Sequence, residues 1–135
     1  MARMRFTVEQ RFADLDLLGH VNNVAYVTYI QEVRLKLLSS LLGERLLTMN
    51  HVVVRNEIDY LLPLGFSPEP LPVDAWIERI GTSSYVIGCD VLSQSGQVAA
   101  RAKTVLVHVT KEGAAAPISD EVRKLLNVAY EEPAS

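Results

Sequence analysis

Along the first third of the chain the apolar positions change period. Met4, Phe6 and Val8 alternate with Arg5, Thr7, Glu9 and Arg11, so residues 3–11 read as a half-buried strand. From Asn23 to Leu42 the spacing becomes three and four: Tyr26, Ile30, Val33, Leu37 and Leu41 form one stripe, widened by Val27, Leu38 and Leu42. Thr28, Glu32, Lys36 and Ser39 fall on the opposite side, with Glu32 and Lys36 spaced for an i,i+4 ion pair. Gly43 stands where a helix C-cap is expected. So wide an apolar face predicts a helix enclosed on more than one side, as by a sheet curled around it.

Four strand-like segments follow. In residues 51–61, Val52, Val54, Ile58 and Tyr60 alternate with Arg55, Glu57 and Asp59. The stretch from Pro63 to Pro72 holds four of the six prolines and reads as a connection, not a central strand. Residues 73–80 set Val73, Ala75 and Ile77 against Asp74, Trp76 and Glu78, and residues 85–92 alternate at Tyr85, Ile87, Cys89 and Val91. Ser93 to Gln97, with Gly96, is a hairpin signal leading to a last strand over 98–109. At ~3.3 Å per residue that strand spans roughly 40 Å, which predicts curvature or passage across a subunit boundary. After a loop at 111–116, Ser119 caps a short helix with Asp120 and Glu121 in its first turn and Arg123 and Lys124 beyond, charges that suit the helix dipole. Residues 130–135 are expected to fray. The result is an α+β chain, an antiparallel sheet of about five strands wrapped around one long helix, with sheet edges that need a partner or a cover.

Composition narrows the class. A chain of 135 residues, 49% hydrophobic and 21% charged, is expected to be a single globular domain over 1–135. Its net charge of −3 argues against nucleic acid as a partner. The apolar runs are broken well before the ~18 residues a membrane helix needs. No apolar segment follows the Met1 to Arg5 start, so no signal peptide is expected, and the expected compartment is the cytoplasm. Cys89 has no partner for an internal disulfide and sits in a strand pattern as a buried thiol.

The candidate chemistry lies between the first strand and the long helix. Arg11 to Tyr26 contains Asp14, Asp16, Gly19, His20, Asn22 and Asn23, with the two asparagines as N-cap candidates. The first N–H groups of a helix lack intrahelical partners, and the macrodipole adds partial positive charge there. A carboxylate beside such a helix start can direct water at a carbonyl that the helix end polarises.

The pattern D-x-D-x-x-G-H-V-N-N-x-x-Y from Asp14 to Tyr26, with Tyr29, Glu32 and Arg34 behind it, resembles the signature of hot-dog-fold acyl-CoA thioesterases of the hydroxybenzoyl-CoA thioesterase superfamily. Weaker echoes occur at Glu57 to Tyr60 with Pro63, at Ile80 to Ser84 and at Ile118 to Arg123. The resemblance implies a hot-dog fold, assembly as a homodimer or homotetramer with sites at subunit interfaces, and hydrolysis of acyl-CoA or acyl-carrier-protein thioesters. Coenzyme A would be part of the substrate, with no separate cofactor. The resemblance makes Asp16 the catalytic carboxylate and places an oxyanion contact at a backbone N–H near Asn23. Whether Asp16 would act as general base or as nucleophile through an anhydride stays open.

The other residues divide between chemistry and support. Asp14 points to the other side of an extended chain from Asp16 and reads as a structural carboxylate bonded to backbone or arginine. Gly19 lets the chain turn closely past a substrate or is a plain turn glycine. Plant acyl-carrier-protein thioesterases, which resemble this motif, have a catalytic His at the position of His20, paired with an Asn two residues earlier. Leu18 occupies that earlier place here, so His20 is expected to brace the turn. Glu32 lies about 13 Å along the helix from Asn23 and reads as structural. Tyr26 is assigned to substrate binding. Arg55, Arg79, Ser83, Ser84, Arg101 and Lys103 are candidates for the nucleotide end of coenzyme A, and solvated surface charge is the plainer reading of each basic one. His51 and His108 have no assigned role. No spacing fits a metal site, a phosphate-binding loop or a G-x-S-x-G nucleophile. Two rivals remain, a hot-dog dehydratase, whose His-centred motif does not match, and a non-catalytic acyl-CoA-binding or regulatory module.

Overall fold

The computed structural model describes residues 2–133. Strand β1 (Met4–Val8) leads through a 3-10 turn at Phe12–Asp14 into helix α1 (Asn23–Leu42). Then come β2 (His51–Tyr60), β3 (Leu71–Ile80), β4 (Ser84–Leu92), β5 (Val98–His108) and the short helix α2 (Asp120–Asn127). The five strands form one antiparallel sheet in the order β1-β3-β4-β5-β2. This is the hot-dog fold, a sheet wrapped around a 20-residue helix.

The helix occupies the span its periodicity predicts because both ends are chemically specified. The Asn22 side chain accepts from the Val24 N–H at 2.9 Å, and Gly43 ends the helix at φ +58°, a left-handed conformation that costs a Cβ-free residue little. Tyr26, Tyr29, Ile30, Val33, Leu37, Leu38 and Leu41 are buried and share one core with Val73, Ala75, Ile77, Tyr85, Ile87, Cys89 and Leu106 from the sheet. The alternation of β3 holds: Val73, Ala75 and Ile77 face this core, and Asp74, Trp76 and Glu78 lie in the outer layer, where Arg5 meets Asp74 and Lys103 meets Glu78. Ser119 caps α2 by accepting from the Val122 N–H. Burial pushes the Cys89 thiol up to about 12, as an inert core thiol requires.

Four expectations need correction. The first strand stops at Val8, since Arg11 to Asp14 closes into the 3-10 turn. Pro72 belongs to β3, one residue inside its start. In β2 a bulge between Val53 and Arg55 reverses the facing, so Val53, Asn56 and Ile58 line the α1 side, and Val52 and Val54 do not share a parity with Ile58. Tyr130 to Pro133 is not a frayed tail: Tyr130 bridges Ile77, the Glu131 N–H donates to the Ile77 carbonyl at 2.9 Å, and Arg3 grips the Glu131 carboxylate. Ala134 and Ser135, the rest of that expected tail, lie outside the described residues. Among the described residues no helix is long and apolar enough to cross a membrane.

Candidate active site

The loop between β1 and α1 is tied at both ends. The Asn22 N–H donates to the Asp14 carbonyl at 2.7 Å, the Val21 N–H to the Leu64 carbonyl at 2.7 Å, and Leu15 bridges Val21. Between them a tight turn runs from Asp16 to His20, with the Gly19 N–H donating to the Asp16 carbonyl and the Asp16 N–H to the His20 carbonyl. Gly19 adopts φ +78°, so the turn itself requires the glycine.

Asp14 is the buried anchor of this loop, at 3% exposure. Its carboxylate accepts from the Arg11 N–H at 3.0 Å, from the Arg11 guanidinium at 2.9 Å and from the Tyr29 hydroxyl at 2.7 Å. Burial pushes the carboxyl up, but the Tyr29 hydroxyl and both Arg11 donors outweigh it and hold it below the ordinary aspartate value. The same bond, added to burial, raises the Tyr29 phenol well above its usual range. The structural role expected of Asp14 is therefore what its contacts describe.

Asp16 is exposed and differently placed. Its Oδ1 accepts from the Leu18 N–H at 2.9 Å and the His20 N–H at 3.1 Å, which fixes the carboxylate plane and leaves Oδ2 without a partner among the described residues. Asp16, His20, Asn23, Tyr26, Tyr60 and Pro63 line a cleft of about 370 Å³. Capping engages the Asn22 side chain with Val24 and the Asn22 carbonyl with Ala25, and neither bond uses the Asn23 N–H. A carboxylate oxygen and a helix-start N–H, neither with a partner among the described residues, therefore belong to residues that border one cleft. An acyl carbonyl seated on that N–H would present its carbon to the Asp16 side.

Tyr60 completes the wall, donating from its hydroxyl to the Asn23 carbonyl at 3.1 Å and packing edge-on against Tyr26 at 5.3 Å between ring centroids. Sequence reasoning assigns it no site role, and only its place in the Glu57 to Pro63 echo signals it. His20 bridges Gly65 through its backbone and lines the cleft with its side chain, so bracing the turn and facing a substrate are both open to it.

The other candidates are not brought to this cleft within one chain. Ser83 and Ser84 sit at the β3–β4 turn, where the His108 N–H donates to the Ser83 carbonyl, at the His51 end of the sheet and not the Tyr60 end. Arg55 pairs with Glu57 at 2.7 Å, and Arg79 is exposed near the end of β3. Arg101 binds both oxygens of Asp90 at 2.8 and 3.1 Å, and Lys103 lies 3.3 Å from Glu78. These two cations share a strand face, as their spacing requires, and within the chain each is paired with a carboxylate. Glu32 bonds Lys36, whose ammonium also reaches the Thr7 carbonyl on the β1 side, away from the cleft.

Residues 10–126 match the sequence profile of the thioesterase-like superfamily. The uncharacterised protein YsmA of Bacillus subtilis (strain 168) is 31% identical over 122 residues, spanning 88% of this chain and 82% of that protein. A predicted thioesterase from Bacillus stearothermophilus superposes with a TM-score of 0.88 at 26% identity, covering 98% of this chain and all of the other. A thioesterase from Thermus thermophilus, in complex with coenzyme A and zinc, gives 0.81 at 31% identity over 93% of this chain and 92% of its own.

Proposed function

The chain belongs to the thioesterase-like superfamily and is a thioester hydrolase, and from that premise we propose that it hydrolyses acyl-CoA thioesters, with Asp16 as the reacting carboxylate. The observation that carries this reading is the division of labour within the Asp16 carboxylate: Oδ1 is held by two backbone N–H groups, and Oδ2 is left for the cleft. Coenzyme A as the thiol half is supported by the Thermus thermophilus relative, which binds it.

The thioester carbonyl sits with its oxygen on the Asn23 N–H, where the helix dipole stabilises the charge that develops as the carbonyl is attacked. In one route Oδ2 takes a proton from water, the hydroxide adds to the carbonyl carbon, and the C–S bond breaks to release the thiolate of coenzyme A. In the other, Oδ2 itself adds to the carbonyl carbon, the C–S bond breaks to expel the thiolate and leave a mixed anhydride with Asp16, and water then cleaves that anhydride. Single turnover in oxygen-labelled water separates them, because only the anhydride route can leave label in the Asp16 carboxylate. Asp16→Asn keeps shape and hydrogen bonding but removes both options, so kcat on acyl-CoA should fall by at least ~10²-fold. His20→Ala, bracing the turn, should cost less activity and more thermal stability. An Asp16→Asn enzyme within about tenfold of wild type would falsify the assignment.

A second copy of the chain completes the proposal. β2 is a ten-residue edge strand with Val52, Val53 and Val54 at 46%, 40% and 57% exposure, an edge of the kind that pairs with another strand. Antiparallel pairing of two β2 edges would carry the Ser83 and Ser84 end of one copy toward the Tyr60 end of the other. That arrangement keeps these serines in play for the nucleotide, supplied across the interface.

A further inference from the structure

A second recess, of about 180 Å³, lies between α1 and β2, lined by Val27, Ile30, Gln31 and Arg34 on the helix and by Val53, Asn56 and Ile58 on the strand. The helix positions Asn23, Val27, Ile30 and Arg34 follow one another at spacings of four, three and four, a single stripe running down from the helix start. The strand runs alongside it, since Tyr60 bonds Asn23 at the top and Ile58 and Asn56 come next below.

At the far end of this stripe three polar groups lack partners. Arg34 is half-buried and forms no hydrogen bond or ion pair among the described residues. The Tyr85 hydroxyl, on a side chain with 0% exposure, has no hydrogen-bond partner among the described residues, and neither does the buried Nδ1 of His51. The three are neighbours: the Arg34 charge acts on both Tyr85 and His51, and the two rings meet edge-on at 6.3 Å. Burial lowers the His51 pKa, and Arg34 and then His108 lower it further, which keeps the imidazole neutral and able to donate one N–H. A partly desolvated cation and a buried hydroxyl without partners are costly unless something binds them.

The described residues offer no carboxylate for that place. Glu57 and Asp59 alternate with Asn56, Ile58 and Tyr60 and so stand on the other face of β2, and a second β2 edge would present its own in the same way. Glu32 is held by Lys36 on the β1 side of the helix.

We propose that Arg34, with the Tyr85 hydroxyl beside it, is an anion site at the blind end of the acyl groove, and that the chain acts on thioesters whose acyl group ends in a second carboxylate. This rests on the hydrolase reading of Asp16 and adds the substrate class. Arg34 lies about three turns beyond Asn23, roughly 16 Å along the axis at ~1.5 Å per residue. An arginine leaning back toward the helix N-terminus would shorten that gap to roughly 10 Å, a distance on the scale of an extended acyl chain of about eight carbons. Val27, Ile30 and Ile58 would enclose the methylenes between the two polar ends.

The test compares the mono-CoA thioester of octanedioic acid with octanoyl-CoA, two acyl groups of equal length that differ in the terminal carboxylate. Wild type should favour the former in kcat/KM by about tenfold or more, the ~1.4 kcal/mol of one charge-assisted hydrogen bond. Arg34→Gln should erase most of that preference, and Tyr85→Phe part of it. Free octanedioate should raise the Tm of wild type where octanoate does not, and should lose that effect in Arg34→Gln. Equal turnover of both thioesters by wild type, or an equal fall on both in Arg34→Gln, overturns the inference while the hydrolase reading stands. Stabilisation by octanedioate that needs Arg34, in a protein that hydrolyses neither thioester, keeps the anion site and sinks the hydrolase reading instead. Wild-type selectivity needs no variant, so a misfolded Arg34→Gln leaves the test decisive.

Discussion

Asp14 and Asp16 differ by two positions and by nearly everything else. Asp14 is spent on structure: its two oxygens take the Tyr29 hydroxyl and the Arg11 donors, and no part of it faces the cleft. Asp16 is held on one oxygen only. Asp14→Asn should therefore cost about 1–3 kcal/mol, the scale for a buried charged group losing hydrogen-bond partners, which is several degrees of Tm for a chain of this size. The pH dependence carries a definite sign. The Asp14 pKa is lowered from 3.8 in the fold, so its contribution is present above that value and is lost as pH falls through the lower folded value. Thermal melts from pH 7 downward should show wild type and Asp14→Asn converging below pH ~4; a gap that stays constant into acid would mean the carboxylate charge is not what matters.

At the scale of elements, the sheet closes on α1 because its inner face is apolar and its outer face is knitted by charge. Trp76 on β3 lies flat over Gly88 of β4, with the Arg3 guanidinium carbon 4.1 Å from its ring on the outer side. A Cβ at Gly88 would land on the indole, 2.6 Å from Cζ2 and 2.7 Å from Nε1. The ring has little room to slip, since Arg3 is itself fixed by Glu131 and by Asp90 at 3.3 Å. Gly88→Ala should cost about 1–3 kcal/mol as overpacking and change the fluorescence of Trp76, the sole tryptophan. An unshifted melt and spectrum would show that the tail clamp yields easily. Glycine is therefore required at position 88 by the neighbouring strand, not by its own backbone angles.

For the whole molecule the strand order decides which surface is unfinished. β3, β4 and β5 are interior, β1 is a short edge of five residues, and β2 is a long edge with apolar side chains in the open. Leu17 and Leu18, at 105% and 80% exposure, stand on the same loop as Asp16 and add exposed apolar surface there. Light scattering at micromolar concentration should give a mass of at least twice 15.0 kDa. A lysine at Val54 should weaken the assembly by placing charge on the pairing edge, and activity should fall with it because the site is then incomplete. A stable 15.0 kDa species with full activity would remove the second copy from the mechanism.

What depends on neighbours along the chain was legible in the amino-acid order alone. The span of α1 follows from an apolar period between Asn22 and Gly43, the strands from alternation, and the position of Asp16 before a helix start from a motif of contiguous residues. Local hydrogen bonds and side-chain period set all of these. What depends on residues far apart in the chain came only with folding. The bulge at Val53 and Arg55 reversed the facing of half a strand, and Ile77 captured the tail that composition left loose. Pairing of β5 with β4 set Arg101 against Asp90, and the reach of Lys103 across β4 brought it to Glu78 on β3. The orphaned trio of Arg34, His51 and Tyr85 comes from a helix and two strands that no spacing rule connects, and it exists only because the sheet wraps the helix there.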